Sequence, residues 1–216
     1  MINKKVFFIV LSIIILCFFI FLGLNVYKKM NNGNNISKLT VEELTQYILN
    51  IDAYQAQVSV EVISNKNTNK YKLEQYYEKN KGAKQTVIEP EAIAGMQTTL
   101  SGGVLKLTNT KMDLTKLYEN CPDVSENNLW LSTFIDDYNR YESKQFKEKN
   151  NEIVMSVKLE ESNNKYNIFK ELYIDKVTHK PTKMLIQDIN QNKTVYIEYN
   201  EIEINNVNED ILAFKL

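Results

Sequence analysis

The chain has very little of the chemistry from which most catalytic and metal sites are built. It contains one histidine, His179, and two cysteines, Cys17 and Cys121, among 216 residues. A Ser-His-Asp triad would depend on His179, which stands beside Lys180-Pro181 in a predicted turn. Zinc usually takes several His or Cys ligands, and the chain has too few of both. The sequence therefore predicts no catalytic residues, no metal site and no cofactor, and it favours a protein that binds rather than reacts.

Excess positive charge is also missing after the first thirty residues. Those thirty hold four lysines and no acid, so 22 basic and 27 acidic residues follow, a net charge of −5. Proteins that bind nucleic acid draw most of their affinity from a basic patch, whereas lysines and glutamates are interspersed here. A glycine-rich phosphate loop with its lysine is absent as well. We therefore expect no nucleic-acid partner.

One long hydrophobic run is present, at the N-terminus. From Val6 to Leu24 only Ser12 and Gly23 are not strongly apolar, and lysines flank the run on both sides. Such a length of helix covers about 29 Å, close to the roughly 30 Å of a bilayer's hydrocarbon core, while a cleaved signal has an apolar stretch of about 7–15 residues. The run predicts an uncleaved transmembrane or signal anchor over residues 6–26, with a short cytoplasmic tail at residues 1–5.

Cys17 leaves a second interpretation of this run open, because a lipoprotein signal ends at a cysteine that becomes acylated. Such signals favour a small residue directly before the cysteine and leucine three positions before it, but Leu16 and Ile14 stand there. Ordinary cleavage is a third alternative. In all three cases the rest of the chain is exported, so we expect a protein of the cell membrane whose main part lies on the extracytoplasmic side.

The residues after the run fit a linker followed by a single domain. Four asparagines and a glycine at residues 31–35 are typical of a tether, so we predict a linker over residues 27–37 and one domain over residues 38–216. A chain of about 180 residues can share a single core. Cys121 is the only cysteine in this domain, so no disulfide can form within it and the fold must depend on its core.

The dominant pattern in the domain is an alternation of apolar and polar residues. Tyr54–Val62 shows it clearly and predicts a strand with one face on a core and one in water. A change of phase before Ile202 predicts a β-bulge near Asn200-Glu201. Short polar connections between the segments predict an antiparallel meander. The further strand segments are Tyr71–Tyr77, Val104–Leu107, Ile153–Leu159, Ile168–Ile174, Met184–Ile186 and Val195–Ile204.

Helical spacing marks two segments, and a third more weakly. Thr40 and Glu43 form a capping box, and apolar residues follow at helical spacing. Asn127 or Asn128 can cap the second helix. A third, weaker helix is expected over Met112–Asn120. The apolar stripes are Val41, Leu44, Ile48 and Ile51 in the first helix and Trp130, Phe134, Tyr138 and Tyr141 in the second.

The aromatic stripe of the second helix has two interpretations. Recurrence near every fourth residue predicts one apolar helix face, and packing of that face on the sheet is the simpler explanation. The alternative is that the stripe lines a groove for a ligand or a partner. Trp130, Phe134 and Tyr138 are therefore the groove or partner-binding candidates.

The order of elements resembles the LolA/LolB-like lipoprotein-carrier superfamily. Glu89-Pro90 and the Gly102-Gly103 turn before Val104–Leu107 are similar to its proline-then-hairpin segment, and Leu172–Asp175 with Lys180–Met184 is similar to its C-terminal signature. The resemblance covers residues 38–216. It implies a mainly β (α+β) fold, a curved antiparallel half-barrel sheet with helices packed on its concave face.

Within that superfamily the chain more closely resembles the GerS-like germination lipoproteins of clostridia. The likeness is carried by Tyr54–Ile63, Gln75–Tyr77, Glu89–Met96 and Asn128–Leu131. It implies a non-enzymatic, membrane-attached protein that binds and licenses a CwlD-like zinc amidase, an N-acetylmuramoyl-L-alanine amidase, for spore cortex modification and germination. The zinc would belong to the amidase, and the protein would face outward on the spore or forespore membrane.

Two further expectations follow from such a fold. An open sheet keeps edge strands whose backbone groups can pair with another chain, so strand addition could bind a partner or produce a homodimer. The alternative function is that of a carrier or sensor, which holds acyl chains of a lipid or lipoprotein in the half-barrel.

Overall fold

Alternating apolar side chains place eleven strands in one antiparallel sheet. The computed structural model describes residues 40–121, 127–160 and 162–205, and the strands of that part of the chain share a single sheet. The protein is therefore mainly β, as the sequence predicts. The strands are β1 Ala53–Ile63, β2 Thr68–Glu78, β3 Gly82–Glu89, β4 Met96–Ser101, β5 Val104–Asn109, β6 Leu114–Tyr118, β7 Lys144–Lys149, β8 Glu152–Lys158, β9 Phe169–Asp175, β10 Pro181–Gln187 and β11 Lys193–Ile204.

Two meanders make up the sheet and meet where the last strand pairs with the first. The strand order is β6-β5-β4-β3-β2-β1-β11-β10-β9-β8-β7. Strands β6 and β7 are therefore the two edges. The predicted antiparallel sheet is confirmed, but the single long meander is divided in two between β6 and β7.

The pairing of β1 with β11 contains the predicted bulge. Gln57 lies opposite Glu201 and Val58 lies opposite Tyr199, which leaves Asn200 as the additional residue. The Asn200 side-chain amide donates a hydrogen bond of 2.8 Å to the Ser59 hydroxyl across the pair. An extra residue shifts the alternation by one position, which explains the change of phase in the sequence.

One face of the sheet carries the core, and we call it the inner face and the opposite one the outer face. Along β1 every second residue from Tyr54 to Val60 is buried, and the residues between them are partly exposed. The cross-strand register continues this division on both sides of β1. Other buried residues on the inner face include Leu73, Met155, Leu172, Ile174, Met184, Ile186 and Ile197.

Two α-helices accompany the sheet in the described residues, together with a short 3₁₀ helix at Glu91–Ile93. Helix α1, Val41–Leu49, is the predicted first helix, and Leu44 and Ile48 on its apolar face are buried. Val41 at its first position stays exposed. The helix therefore contributes the second and third positions of its stripe to the core.

The second predicted helix is present but begins later than expected. Helix α2 spans Leu131–Arg140, because Trp130 keeps an extended backbone with ψ of 139°. The Asn127 side chain instead caps the turn that precedes the helix and accepts a hydrogen bond of 3.0 Å from the Leu129 N–H. Tyr141, the last member of the predicted stripe, lies just beyond the helix.

The prediction of a third helix over Met112–Asn120 is wrong, since this segment contains β6. Leu117 lies opposite Lys106 and Lys116 opposite Leu107 in a ladder with β5. Asp113 and Asn120 have φ of +49° and +56°, a left-handed conformation that interrupts a right-handed helix. Cross-strand pairing therefore overrides the weak helical spacing.

Residues 1–5, the predicted anchor at 6–26, Cys17 and the linker at 27–37 lie outside the described residues. Within the described part of the chain, no helix combines the length and apolar character needed to cross a membrane.

Candidate functional site

The aromatic stripe of α2 lies buried against protein atoms. Trp130, Phe134 and Tyr138 are 3%, 0% and 6% exposed. The Trp130 and Tyr54 rings have centroids 6.5 Å apart, and the Phe134 and Tyr138 rings are 5.8 Å apart. Both are distances at which aromatic pairs attract each other. The structure thus places Phe134 and Tyr138 on α2 and Trp130 at the residue just before it, and a role for the three in contacting a partner stays a prediction.

Polar contacts fix the start of α2 on the inner face. The Leu131 N–H donates a hydrogen bond of 3.1 Å to the Tyr54 hydroxyl. The Gln75 side-chain amide donates to the Leu129 carbonyl oxygen and to the Gln85 side-chain oxygen, each at 3.1 Å. A helix leaves its first N–H groups without intrahelical partners, so β1 and β2 supply groups that hold this end of the helix.

A buried ion pair fixes the middle of the same helix. The Lys170 ammonium contacts the Asp137 carboxylate, and it donates a hydrogen bond of 2.8 Å to the Asn128 side-chain oxygen. Asn128 also accepts a bond of 3.0 Å from the Asn167 amide. Burial lowers the pKa of Lys170, while the carboxylates of Asp137 and Asp136 oppose that shift. The alternation of β9 puts position 170 on the same face as Leu172 and Ile174, but nothing in the sequence shows which groups meet the Lys170 ammonium there.

Some buried side-chain polar atoms of the described residues lack a hydrogen-bond partner. They are the Tyr199 hydroxyl and the side-chain oxygens of Gln75 and Asn167. Burial raises the pKa of Tyr199, and burial together with the neighbouring Tyr199 raises the pKa of Tyr54 well above its ordinary value. Both phenols therefore remain neutral at physiological pH. The buried polar groups under α2 position the helix on the sheet.

The structure describes His179 and Cys121, the only histidine and the only cysteine of the domain. His179 has φ of +57° in the connection between β9 and β10, and its backbone N–H bonds the Asp175 carbonyl oxygen at 2.9 Å. Cys121 is a free, partly exposed thiol whose sulfur lies 3.7 Å from the Tyr118 carbonyl oxygen. Among residues 40–121, 127–160 and 162–205, no three His, Cys, Asp or Glu side chains are grouped as metal ligands.

The outer face carries an open, acidic trough of about 700 Å³ across β2, β1 and β11. Glu74 and Glu201 lie on either side of Gln57 in the cross-strand register. In the neighbouring row the Gln55 amide donates a hydrogen bond of 2.6 Å to the Glu203 carboxylate. Carboxylates dominate this surface, so its potential favours cationic over anionic groups.

The two edges of the sheet differ in chemistry. Strand β6 is exposed along its whole length, and Leu114 and Leu117 are 61% and 59% exposed. Strand β7 instead has the sequence Lys-Gln-Phe-Lys-Glu-Lys, in which Phe146 is partly buried and the other five residues are exposed. Charged residues on an edge discourage pairing with other chains. Strand β6 carries one charged residue, Lys116, and in the described residues no strand pairs with its outer side.

Comparison with known proteins finds one family match, which covers part of the chain. Residues 4–93 match the family of YdcC-like sporulation proteins, a stretch that is less than half of the chain. Among curated proteins none matches the sequence.

Solved structures share the fold. The chain is similar to the GerS lipoprotein in its complex with the CwlD amidase from Clostridioides difficile, with 24% identity, 75% of this chain and 92% of that chain covered, and a TM-score of 0.50. It is also similar to a chain of the MucA/MucB complex of Pseudomonas aeruginosa, with 12% identity, coverage of 82% and 61%, and a TM-score of 0.50. A LolA superfamily protein of Nitrosomonas europaea aligns more loosely, with 10% identity, coverage of 82% and 98%, and a TM-score of 0.42.

Proposed function

We propose that this protein is a non-enzymatic adaptor that binds an N-acetylmuramoyl-L-alanine amidase of the CwlD type and licenses it to modify the spore cortex. The observation that carries the proposal is the shared fold with GerS, which was solved in complex with the CwlD amidase. The match of residues 4–93 to a sporulation family supports the same setting. In this proposal the catalytic zinc belongs to the amidase.

The geometry of the described domain supports binding over chemistry. Two of its buried titratable groups, Tyr54 and Lys170, hold the helix and the sheet together. Strand β6, at one edge of the sheet, carries two exposed leucines, Leu114 and Leu117. An unpaired strand edge can add a strand from another protein, so the domain can hold a partner without a groove.

We propose further that the N-terminal run attaches the protein to the membrane and that the domain works on the extracytoplasmic side. Cortex amidases act on peptidoglycan, which lies outside the membrane. A tether of residues 27–37 would keep the adaptor and its amidase near that surface, on the outer face of the spore or forespore. Anchoring by residues 6–26 and acylation at Cys17 are alternative means to the same attachment.

The packing on the inner face weighs against the carrier alternative. An acyl chain in the half-barrel would need space beside the aromatic stripe, yet Trp130, Phe134 and Tyr138 are buried by protein atoms. Retention of a lipid distinguishes the carrier from the adaptor. Native mass spectrometry of the full-length protein should show no lipid retained in one-to-one ratio under the adaptor proposal, and a retained lipid would support a carrier.

Co-purification tests the adaptor proposal. The full-length chain in mild detergent is mixed with the CwlD-type amidase of the same organism and analysed by size-exclusion chromatography, with an unrelated detergent-solubilised membrane protein as control. The proposal predicts a complex of defined stoichiometry that the control does not form. Separate elution at micromolar concentrations of both proteins would refute it.

A further inference from the structure

The edge strand β6 presents exposed apolar side chains beside unpaired backbone. Within the described residues it pairs with β5 alone, so its other side has backbone N–H and C=O groups open to a new strand. Leu114 and Leu117 are more than half exposed, and Met112 directly before the strand is 67% exposed. Exposed apolar side chains on a free edge are a liability unless a partner covers them.

Charge on β6 is confined to one residue. Lys116 is the only charged residue of the strand, and its ammonium lies 4.7 Å from the centroid of the Tyr118 ring. No described carboxylate forms an ion pair with it. An incoming strand would therefore meet two leucines, a tyrosine and one unpaired positive charge. The complementary segment has apolar side chains and an acidic residue opposite Lys116.

A second copy of β6 fits this surface poorly. Antiparallel pairing about a two-fold axis places each residue i opposite residue j of the other copy. The symmetric register that uses all five residues sets Lys116 opposite Lys116, Leu114 opposite Tyr118, and Thr115 opposite Leu117. Like charges directly opposite each other on a sheet destabilise the pair. The charge pattern thus favours a different chain over self-association.

We infer that β6 is the docking strand for an extended segment of the amidase, which adds to the sheet as a twelfth strand and places an acidic side chain opposite Lys116. This inference rests on the proposed amidase-binding function and names the surface that performs it. The inner face and the charged edge at β7 take no part. The aromatic stripe of α2 then supports the sheet from inside and contacts no partner.

Two substitutions on β6 test the inference: Leu117→Lys adds a lysine of the kind that β7 carries, and Lys116→Glu reverses the charge already present. We expect Leu117→Lys to weaken amidase binding by about tenfold or more, as the loss of a central interface side chain does. Lys116→Glu should weaken it as well, through repulsion of the acidic partner residue. The matched control is Ile189→Lys, at a residue 60% exposed in the connection between β10 and β11, which should bind within about twofold of the unchanged chain.

Biolayer interferometry against immobilised amidase measures the affinity of the unchanged full-length chain and of each variant. Weakening by Leu117→Lys and Lys116→Glu, with Ile189→Lys unaffected, supports the inference. Unchanged binding by both β6 variants overturns it and leaves the amidase proposal standing. Absence of binding by the unchanged chain refutes the proposed function and the inference together.

Sedimentation velocity distinguishes docking of the amidase on β6 from pairing of β6 with a second copy of this chain. A dimer of the unchanged chain that Leu117→Lys dissociates, with amidase binding retained, would mean that β6 pairs with itself and would overturn the inference. A monomer in all variants, together with the loss of amidase binding, supports it. Lys116, Leu117 and Ile189 are all exposed in the free protein. Circular dichroism should therefore show the same fold in every variant.

Discussion

The ammonium of Lys170 and the carboxylate of Asp137 form a buried ion pair that joins β9 to α2. Lys170 stands on the inner face between Ile186 of β10 and Val157 of β8, in the cross-strand register of the core. Its side chain is 1% exposed. A charge at this depth is tolerated only because a carboxylate and the Asn128 oxygen surround it. The ion pair therefore fixes where α2 lies along the sheet.

Removal of the lysine should be costly. Lys170→Met leaves the Asp137 carboxylate buried without its counter-ion, and we expect the free energy of unfolding to fall by about 3–5 kcal/mol. Lys183→Met is the matched control, because Lys183 pairs with Glu152 at 3.1 Å in a partly exposed position, and exposed pairs contribute about 0–1 kcal/mol. Urea denaturation measures both. Equal losses in the two variants would contradict the role assigned to burial.

Two buried tyrosines offer a direct comparison of a partnered and an unpartnered hydroxyl. Tyr54→Phe removes the acceptor of the Leu131 N–H and should lower the free energy of unfolding by about 1–3 kcal/mol. Tyr199→Phe removes a hydroxyl without a described partner, so stability should stay the same or rise slightly. Thermal and urea unfolding of both variants provide the measurement. A larger loss for Tyr199→Phe than for Tyr54→Phe would show that the Tyr199 hydroxyl has a partner.

The same tyrosines predict a loss of stability at alkaline pH. Burial raises the pKa of both Tyr54 and Tyr199 above 10.0. Below pH 10 these groups are protonated in folded and unfolded chains alike, and their contribution is fully present. Above it the unfolded chain releases the two protons and the folded chain keeps them, so the free energy of unfolding must fall as pH rises.

Absorbance of tyrosinate against pH, recorded beside circular dichroism, checks this prediction. Two of the thirteen tyrosines, Tyr54 and Tyr199, should ionise only as the fold is lost. Partly exposed Tyr173, whose pKa is raised to about 12 by burial and by Glu171, serves as an internal comparison through Tyr173→Phe. Ionisation of all thirteen before any change in circular dichroism would contradict the buried positions of Tyr54 and Tyr199.

The aromatic stripe of α2 can be assigned to core or groove by one substitution. Phe134 is fully buried, so Phe134→Ala should lower the free energy of unfolding by about 3–5 kcal/mol. Tyr166→Ala, at a residue 54% exposed, should change it by no more than about 0.5 kcal/mol. A Phe134→Ala variant that keeps its stability but loses amidase binding would instead identify the stripe as a partner groove.

The sequence predicts well those elements in which each face meets a single environment along the whole length of the element. Strand β1 alternates strictly because its inner face lies in the core and its outer face in water. The bulge at Asn200 is visible because one extra residue reverses that alternation. The first helix is marked by Leu44 and Ile48 at helical spacing.

Elements that depend on distant partners are not visible in the sequence. Strand β7 is lysine-rich with one inward residue, Phe146, and has no periodic pattern. The exposed residues of β6 allow a weak helical pattern, and only pairing with β5 selects the strand. Lys170 is placed in the core by Asp137 and Asn128, which lie 33 and 42 residues away in the chain. The alternation of β9 puts position 170 on the same face as Leu172 and Ile174, but no local pattern shows which groups meet the ammonium there.

The central claim is that this protein licenses an amidase, and the rate of muropeptide cleavage tests it most directly. The CwlD-type amidase of the same organism is assayed on purified peptidoglycan alone, with the full-length chain, and with its Leu117→Lys variant. The account predicts faster cleavage with the unchanged chain and less stimulation by the variant at equal concentration. A cleavage rate that the unchanged chain leaves the same would contradict the account.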